Sequence, residues 1–410
     1  MKKLIATLVL SVTFISAYAQ TFQYEELYYN ILNEADKTCE VTKNPKATGR
    51  VVIPETVTYT GNQYTVTSIG EYAFAECSGL TSINLSENLT SIEYAAFSNC
   101  TGLTSITLPE SLTSIGHSAF WRCTGLTSID LPKNLTSIGD MAFGTCNSLI
   151  EINVPSENNN FVSINGVLFT KDVTSLIAYP GGKSGGYTMP NSVTSVRSGA
   201  FIYCTGLTVV TFSQSLTSIG EYAFGGCFGL TSVTLPQSLT SIGGFAFGGC
   251  SGLTSVTLPQ NLTSIGQYAF ESCSGLTSIN LPKSLTSIEL RAFSYCSNLR
   301  TVNSYATIPP VCGPYAFYEI PSDAELHVPV GTKDAYDNTS GWWLFDTIID
   351  DLTEEAGVEE IKSESLDVNP YDAVEVYNLQ GKKMTIAYGN ELPSLPAGIY
   401  IVNGKKVLIK

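Results

Sequence analysis

GLTSVTLPQNLTSIGQYAFESC, from Gly252 to Cys273, is the stretch that decides the fold. Leu253, Val256 and Leu258 have the spacing of a short strand with one buried face. Pro259 ends that strand, because it has no N–H for a ladder. Leu262 and Ile265 form a second short inward segment, Gly266 turns the chain, and Ala269, Phe270 and Cys273 point back inward. The closing AFxxC element returns every 23 residues. Its Phe positions are Phe74, Phe97, Phe120 and Phe143, then Phe201, Phe224, Phe247, Phe270 and Phe293. A fixed period of this length means a repeat solenoid of stacked rungs. One rung alone exposes its strand edges and its apolar faces, so the rungs fold together and the ends need caps.

Composition narrows the function classes. The 410-residue chain is 43% hydrophobic and only 14% charged, below the usual quarter or so, with Ser and Thr filling the difference. Its formal net charge of −15 repels phosphate backbones, and no Lys/Arg cluster offsets it, so nucleic acid is excluded as a partner. Lys2 and Lys3, the apolar run from Leu4 to Ile15, and Ala17-Tyr18-Ala19 before Gln20 read as an export signal over 1–19. That run is shorter than the ~20 residues of a spanning helix, and no transmembrane span is expected in the mature chain.

Nine of the eleven cysteines follow the repeat Phe by three residues, from Cys77 to Cys296. Stacked neighbours would stand about 4.8 Å apart, whereas a disulfide needs Cβ atoms about 3.5–4.5 Å apart. The column therefore reads as free, buried thiols used as small apolar groups. A second column holds Asn88, Ser111, Asn134, Ser215, Ser238, Asn261 and Ser284. Asn88, Asn134 and Asn261 lie in NLT triplets, the glycosylation pattern, but Ser fills the same site elsewhere. Satisfying backbone at a bend is the preferred role.

The unit LxxIxLPxxLTSIGxxAFxxC resembles the leucine-rich repeat of the BspA-like (Treponema pallidum type) surface proteins, over residues 51 to 348. It lacks an apolar residue two positions after the turn Asn. Short strands and tight turns are therefore expected in place of a convex helix, with one helical turn around AFxxC. The 58-residue interval between Phe143 and Phe201 holds SINGVLF (Ser163 to Phe169), LIAYPGGK and YTMPNSVTSV. It resembles an irregular rung variant of that family. Asn165-Gly166 signals a hairpin there, expected to protrude from a continuous stack.

The expected organisation is a signal peptide at 1–19, an amino-terminal cap at 20–64 and the solenoid at 65–299, irregular over 147–200. A carboxy-terminal cap at 300–349 follows, with Trp342 and Trp343 over the last flat face. An acidic linker at 350–369 then leads to a small β-sandwich-like domain at 370–410. In that last segment VYNLQGKK and LPAGIYIVNGKK resemble the sorting domain of the type IX secretion system of Bacteroidetes. The resemblance implies an address for crossing the outer membrane.

Catalytic groupings are missing from the sequence. His117 and His327 are the two histidines, and neither sits in a metal-ligand or nucleophile motif. No enzyme activity, metal or cofactor is expected. The outward strand positions are nearly all Thr, Ser or Asn, as at Thr81, Ser82 and Asn84. Variation collects around the Phe: before it at Tyr94, His117, Tyr222, Phe245, Tyr268 and Arg291, and after it at Trp121, Arg122, Ile202, Tyr203 and Tyr295. Aromatic and Arg side chains are the usual anchors of protein interfaces. Trp121, Arg122, Tyr203, Phe245 and Tyr295 are therefore the candidate partner-binding residues. With the resemblance, they imply an exported cell-surface protein that binds a host or microbial protein or surface glycoprotein, adhesin-like. The alternative is a structural spacer or coat, favoured by the uniform Ser/Thr face.

Overall fold

A computed structural model describes residues 20–353 and, beyond them, the strands Ala373–Tyr377, Lys383–Tyr388, Gly398–Val402 and Lys405–Ile409. The export signal at 1–19 lies outside the described residues, as does most of the acidic linker. The rungs stack as a solenoid, and equivalent residues meet in parallel register. On the first side Ser232, Val233 and Thr234 pair with Ser255, Val256 and Thr257. On the second side Ser241 and Ile242 pair with Ser264 and Ile265. In the rung of Gly252 seven of the eight expected inward residues are buried, and Val256 is partly so.

The third side, built by AFxxC, is not helical. Ala269, Glu271 and Cys273 donate their N–H groups three residues back, to Gly266, Tyr268 and Phe270. The alternate N–H groups, of Tyr268, Phe270 and Ser272, each donate at 2.8 Å to Leu290, Ala292 and Ser294 in the next rung. Tyr268 and Ser272 hold this geometry with φ of 57° and 58°. The expected helical turn is replaced by consecutive tight turns with two left-handed residues per rung. A helix would bond every N–H within its own rung and leave this side unable to stack.

Inside, the Phe rings form an aromatic column. Phe224, Phe247, Phe270, Phe293 and Phe317 lie 5.2–5.4 Å apart with planes within 6° of parallel. These are offset-stacked pairs, a favoured aromatic geometry. All eleven cysteines are free, and the repeat thiols have a directed role. Cys250 Sγ donates to the Phe224 carbonyl of the preceding rung at 3.1 Å, and that oxygen also accepts the N–H of Cys227. The same bond recurs from Cys100 to Phe74, Cys123 to Phe97 and Cys273 to Phe247.

The irregular interval forms an antiparallel unit of Phe161–Ile164, Val167–Thr170 and Ser175–Ala178. It does not protrude: Val167, Leu168, Phe169 and Leu176 are all fully buried. Strand alternation explains why. Leu168 and Ile177 pack into the core of the preceding rungs, whereas Val167, Phe169, Leu176 and Tyr179 pack into the core of the following ones. The hairpin is thus a partition between two half-cores. Tyr179 starts the second aromatic column, stacked 4.8 Å from Phe201. Arg197 crosses the partition, donating from Nε to Asp140 at 2.8 Å and from Nη1 to the Ile138 carbonyl at 3.1 Å.

At the amino end, Thr38–Val41 extends the second ladder by pairing parallel to Asn62–Ile69, and an antiparallel hairpin of Thr21–Tyr24 and Leu27–Asn33 covers it. At the other end Trp342 is fully buried, packs 5.5 Å from Phe317 and donates Nε1–H to the Pro310 carbonyl. Trp343, expected beside it over the last flat face, is 63% exposed. Asp350 and Asp351 sit in the strand Thr347–Leu352, not in a linker. The four last strands form one antiparallel sheet in which Val376 pairs with both Thr385 and Val402.

Candidate interaction surface

The rung backbone fixes where side chains can leave the stack. Two positions per rung are left-handed: two before the Phe and one before the Cys. Most residues avoid this conformation, yet here Tyr222, Phe245, Tyr268, Arg291 and Tyr315 fill the first position, and Arg122, Tyr203 and Tyr295 the second. The inter-rung bonds of the AFxxC side over-determine the backbone there. Each such residue turns its side chain outward at a rim of the solenoid.

The five candidates share this side of the molecule but not one site. Trp121 is half-buried and covers Gly144, where a Cβ would lie 2.6 Å from its ring. Arg122 is exposed beside it. Tyr203 is exposed and covers Gly226 in the same way, with Phe228 edge-on at 6.0 Å. Ile202, the other residue of that variable pair, is buried. Phe245 is held between Tyr222 and Tyr268 at 4.4 and 4.3 Å, with planes within 10° of parallel. Tyr295 is exposed and meets Tyr318 edge-on at 5.7 Å.

Phe245 therefore belongs to a row the sequence reading took only in part. Tyr222, Phe245 and Tyr268 stack on successive rungs, then Arg291 lies over the Tyr315 ring at 5.6 Å, and Tyr315 meets Tyr318 at 5.5 Å. Tyr315 was legible as two residues before Phe317, but its rung has Ile320 where the Cys should be. A matching row of Tyr72, Tyr94 and His117 edges the first half, and Lys43 lies over the Tyr72 ring at 5.6 Å. Burial, then the charge of Glu221, raises the Tyr222 phenol, and a hydrogen bond to Glu319 raises that of Tyr318.

The uniform faces behave differently. Thr90, Thr113 and Thr136 each donate a hydroxyl to the Thr carbonyl of the preceding rung, at 3.0–3.1 Å. Thr263 and Thr286 repeat the bond in the second half. Asn134 and Asn261 donate to the Glu110 and Gln237 carbonyls, and Ser111, Ser238 and Ser284 to Leu carbonyls one rung back. The turn column thus satisfies backbone across rungs, where the sequence suggested local bonds. His327 meets Asp351 of the neighbouring strand at 2.9 Å and Glu325 of its own strand at 3.6 Å. Among the described residues no group of three such side chains is placed to hold a metal ion.

The BspA type leucine rich repeat region is matched in six copies, over residues 52–172 and 185–300. No curated protein matches the chain. Among solved structures the pneumococcal vaccine antigen PcpA is similar at 20% identity and a TM-score of 0.53, covering 82% of this chain and 99% of that one. That likeness is one of fold. A leucine rich cell surface protein from Faecalibacterium prausnitzii is 26% identical, covering 70% and 94% of the two chains, with a TM-score of 0.48. A leucine rich repeat protein of T. pallidum is 25% identical, covering 57% and 91%, with a TM-score of 0.34. The repeat match takes in more than half of the chain, so this protein belongs to the BspA-type leucine rich repeat family.

Proposed function

We propose that this is an exported cell-surface protein that binds an extracellular protein or surface glycoprotein of host or microbial origin through its AFxxC rim. The observation carrying the proposal is the contrast between faces. The Thr column at Thr217, Thr263 and Thr286 is the same in rung after rung and donates its hydroxyls within the stack. The rim residues differ from rung to rung and present aromatic and Arg side chains outward. The leader-like start at 1–19 supports export, and the tail over 370–410 would serve as a type IX sorting address. No helix among the described residues is long and apolar enough to cross a membrane.

The test is capture from mucus and host-matrix extracts by the purified mature chain, against a Tyr203→Ala, Phe245→Ala, Tyr295→Ala triple variant. Loss of the captured proteins with an unchanged melting temperature is the expected result. Equal capture by both would remove the rim from the account. The spacer reading has its own support, since hydroxyls engaged along the columns offer few free donors. It predicts no specific capture by either protein.

A further inference from the structure

Both caps leave the same ladder open. The second ladder is extended at its start by Thr38–Val41 and the antiparallel hairpin beyond it, and is covered at its end by Gly341 and Trp342 over Val311–Cys312. The aromatic column ends against Trp342 and Phe345. On the first side, by contrast, Gly49–Val52 is the first strand of its sheet and Thr347–Leu352 the last of another, with no partner strand beyond either among the described residues. An unpaired strand edge is a template for another strand.

The two edges are complementary. In this ladder inward residues turn N–H toward the following rung, as Ile53 does to Asn84 and Leu131 to Asn153. Outward residues turn N–H toward the preceding one, as Thr231 does to Thr208. Arg50 and Val52 are outward residues with no preceding rung, so their N–H and C=O groups face a cleft of about 810 Å³. Its walls include Tyr24 to Tyr29 on one side and Arg50 to Val52 on the other. Ile348 pairs with Leu326 in the inward register, so its N–H and C=O face onward past the last rung. Val51 pairs with Ile83 in that same register.

We propose that the mature chain associates head to tail, with Thr347–Leu352 of one copy adding as a parallel strand to Gly49–Val52 of the next. In the register of the ladder Ile348 then lies opposite Val51 and Ile349 opposite Val52. The Ile348 N–H donates to the Arg50 carbonyl, and the Val52 N–H donates to the Ile348 carbonyl. Val52 is 56% exposed in the single chain, and this contact covers it. Lys46 and Arg50 are exposed at the first edge and Asp346, Asp350 and Asp351 at the last, an opposite-charge match that Glu25 and Glu26 on the cleft's far wall partly offset. Such a heterologous contact makes open chains, not closed dimers.

Sedimentation equilibrium of the mature chain over rising concentration tests this. The weight-average mass should rise past the dimer and fall toward the monomer at high salt. Val52→Pro removes an outward N–H and no ladder bond, and should hold the mass at the monomer. Asp350→Lys with Asp351→Lys should do the same from the other end. A mixture of the two variants keeps one intact head and one intact tail, and should stop at heterodimers. Each variant must melt within a few degrees of wild type, and Arg50→Glu replaces Val52→Pro if that one does not. A wild-type chain monomeric up to its solubility limit would overturn the proposal, as would association unchanged in both variants. Binding of an outside partner at the rim is unaffected by either outcome.

Discussion

Cys250 donates its thiol to a carbonyl that already accepts a backbone N–H. Cys250→Ala therefore removes a weak bond and opens a small void without orphaning the oxygen. A loss of about 1–2 kcal/mol in denaturant unfolding is expected, at the low end for a core truncation. Burial pushes this thiol, and those of Cys100, Cys146 and Cys296, up to about 12. An unfolded thiol ionises at about 8.5. The folded value is the higher one, so this stabilisation is complete below the ordinary thiol range and is lost as pH climbs toward 12. Melting temperature should fall over that alkaline window, and Cys→Ala changes at two of these sites should shallow the fall. Burial of the thiols was legible from their period. Their acceptor was not, because the direction of the Phe carbonyl depends on left-handed residues such as Tyr268 and Ser272, which are not the glycines that usually mark that conformation.

Among the elements, the partition at Phe161–Ala178 was the least legible. Asn165-Gly166 did mark a turn, and Ile164 pairs with Val167 across it. The hairpin was read as protruding, although the run Val167-Leu168-Phe169 lacks the alternation of a half-exposed strand. That run is itself the signature of burial on both faces. Leu168→Ala should destabilise by about 2–5 kcal/mol and Phe169→Ala by about 3–5 kcal/mol. The two should differ in where amide exchange quickens: in the rungs before the partition for Leu168, in those after it for Phe169. Equal quickening on both sides would contradict the division of the core. The strands of the regular rungs were read correctly because each carries inward Leu, Ile or Val between a Thr-Ser pair and a turn.

At the scale of the molecule, period and inward pattern were enough for a stack, while the third side and the rim were not. A period of 23 residues places Phe on Phe but does not say how the chain between them bends. The broken motif of its rung, with Ile320 in place of Cys, hid Tyr315, and the period did not show that Phe245 stacks between Tyr222 and Tyr268. The stack makes the thiol column a reporter on the whole array, since each thiol is shielded by the rung on either side of it. Titration with an aromatic disulfide reagent, without reductant, along a guanidinium series is the most direct measurement. The account predicts that the ten buried thiols stay unreactive in the native chain, and that all eleven cysteines titrate on unfolding, the repeat thiols appearing together as the rungs separate. Rapid reaction of the repeat thiols in native buffer, or fewer than eleven thiols in the denatured chain, would contradict it.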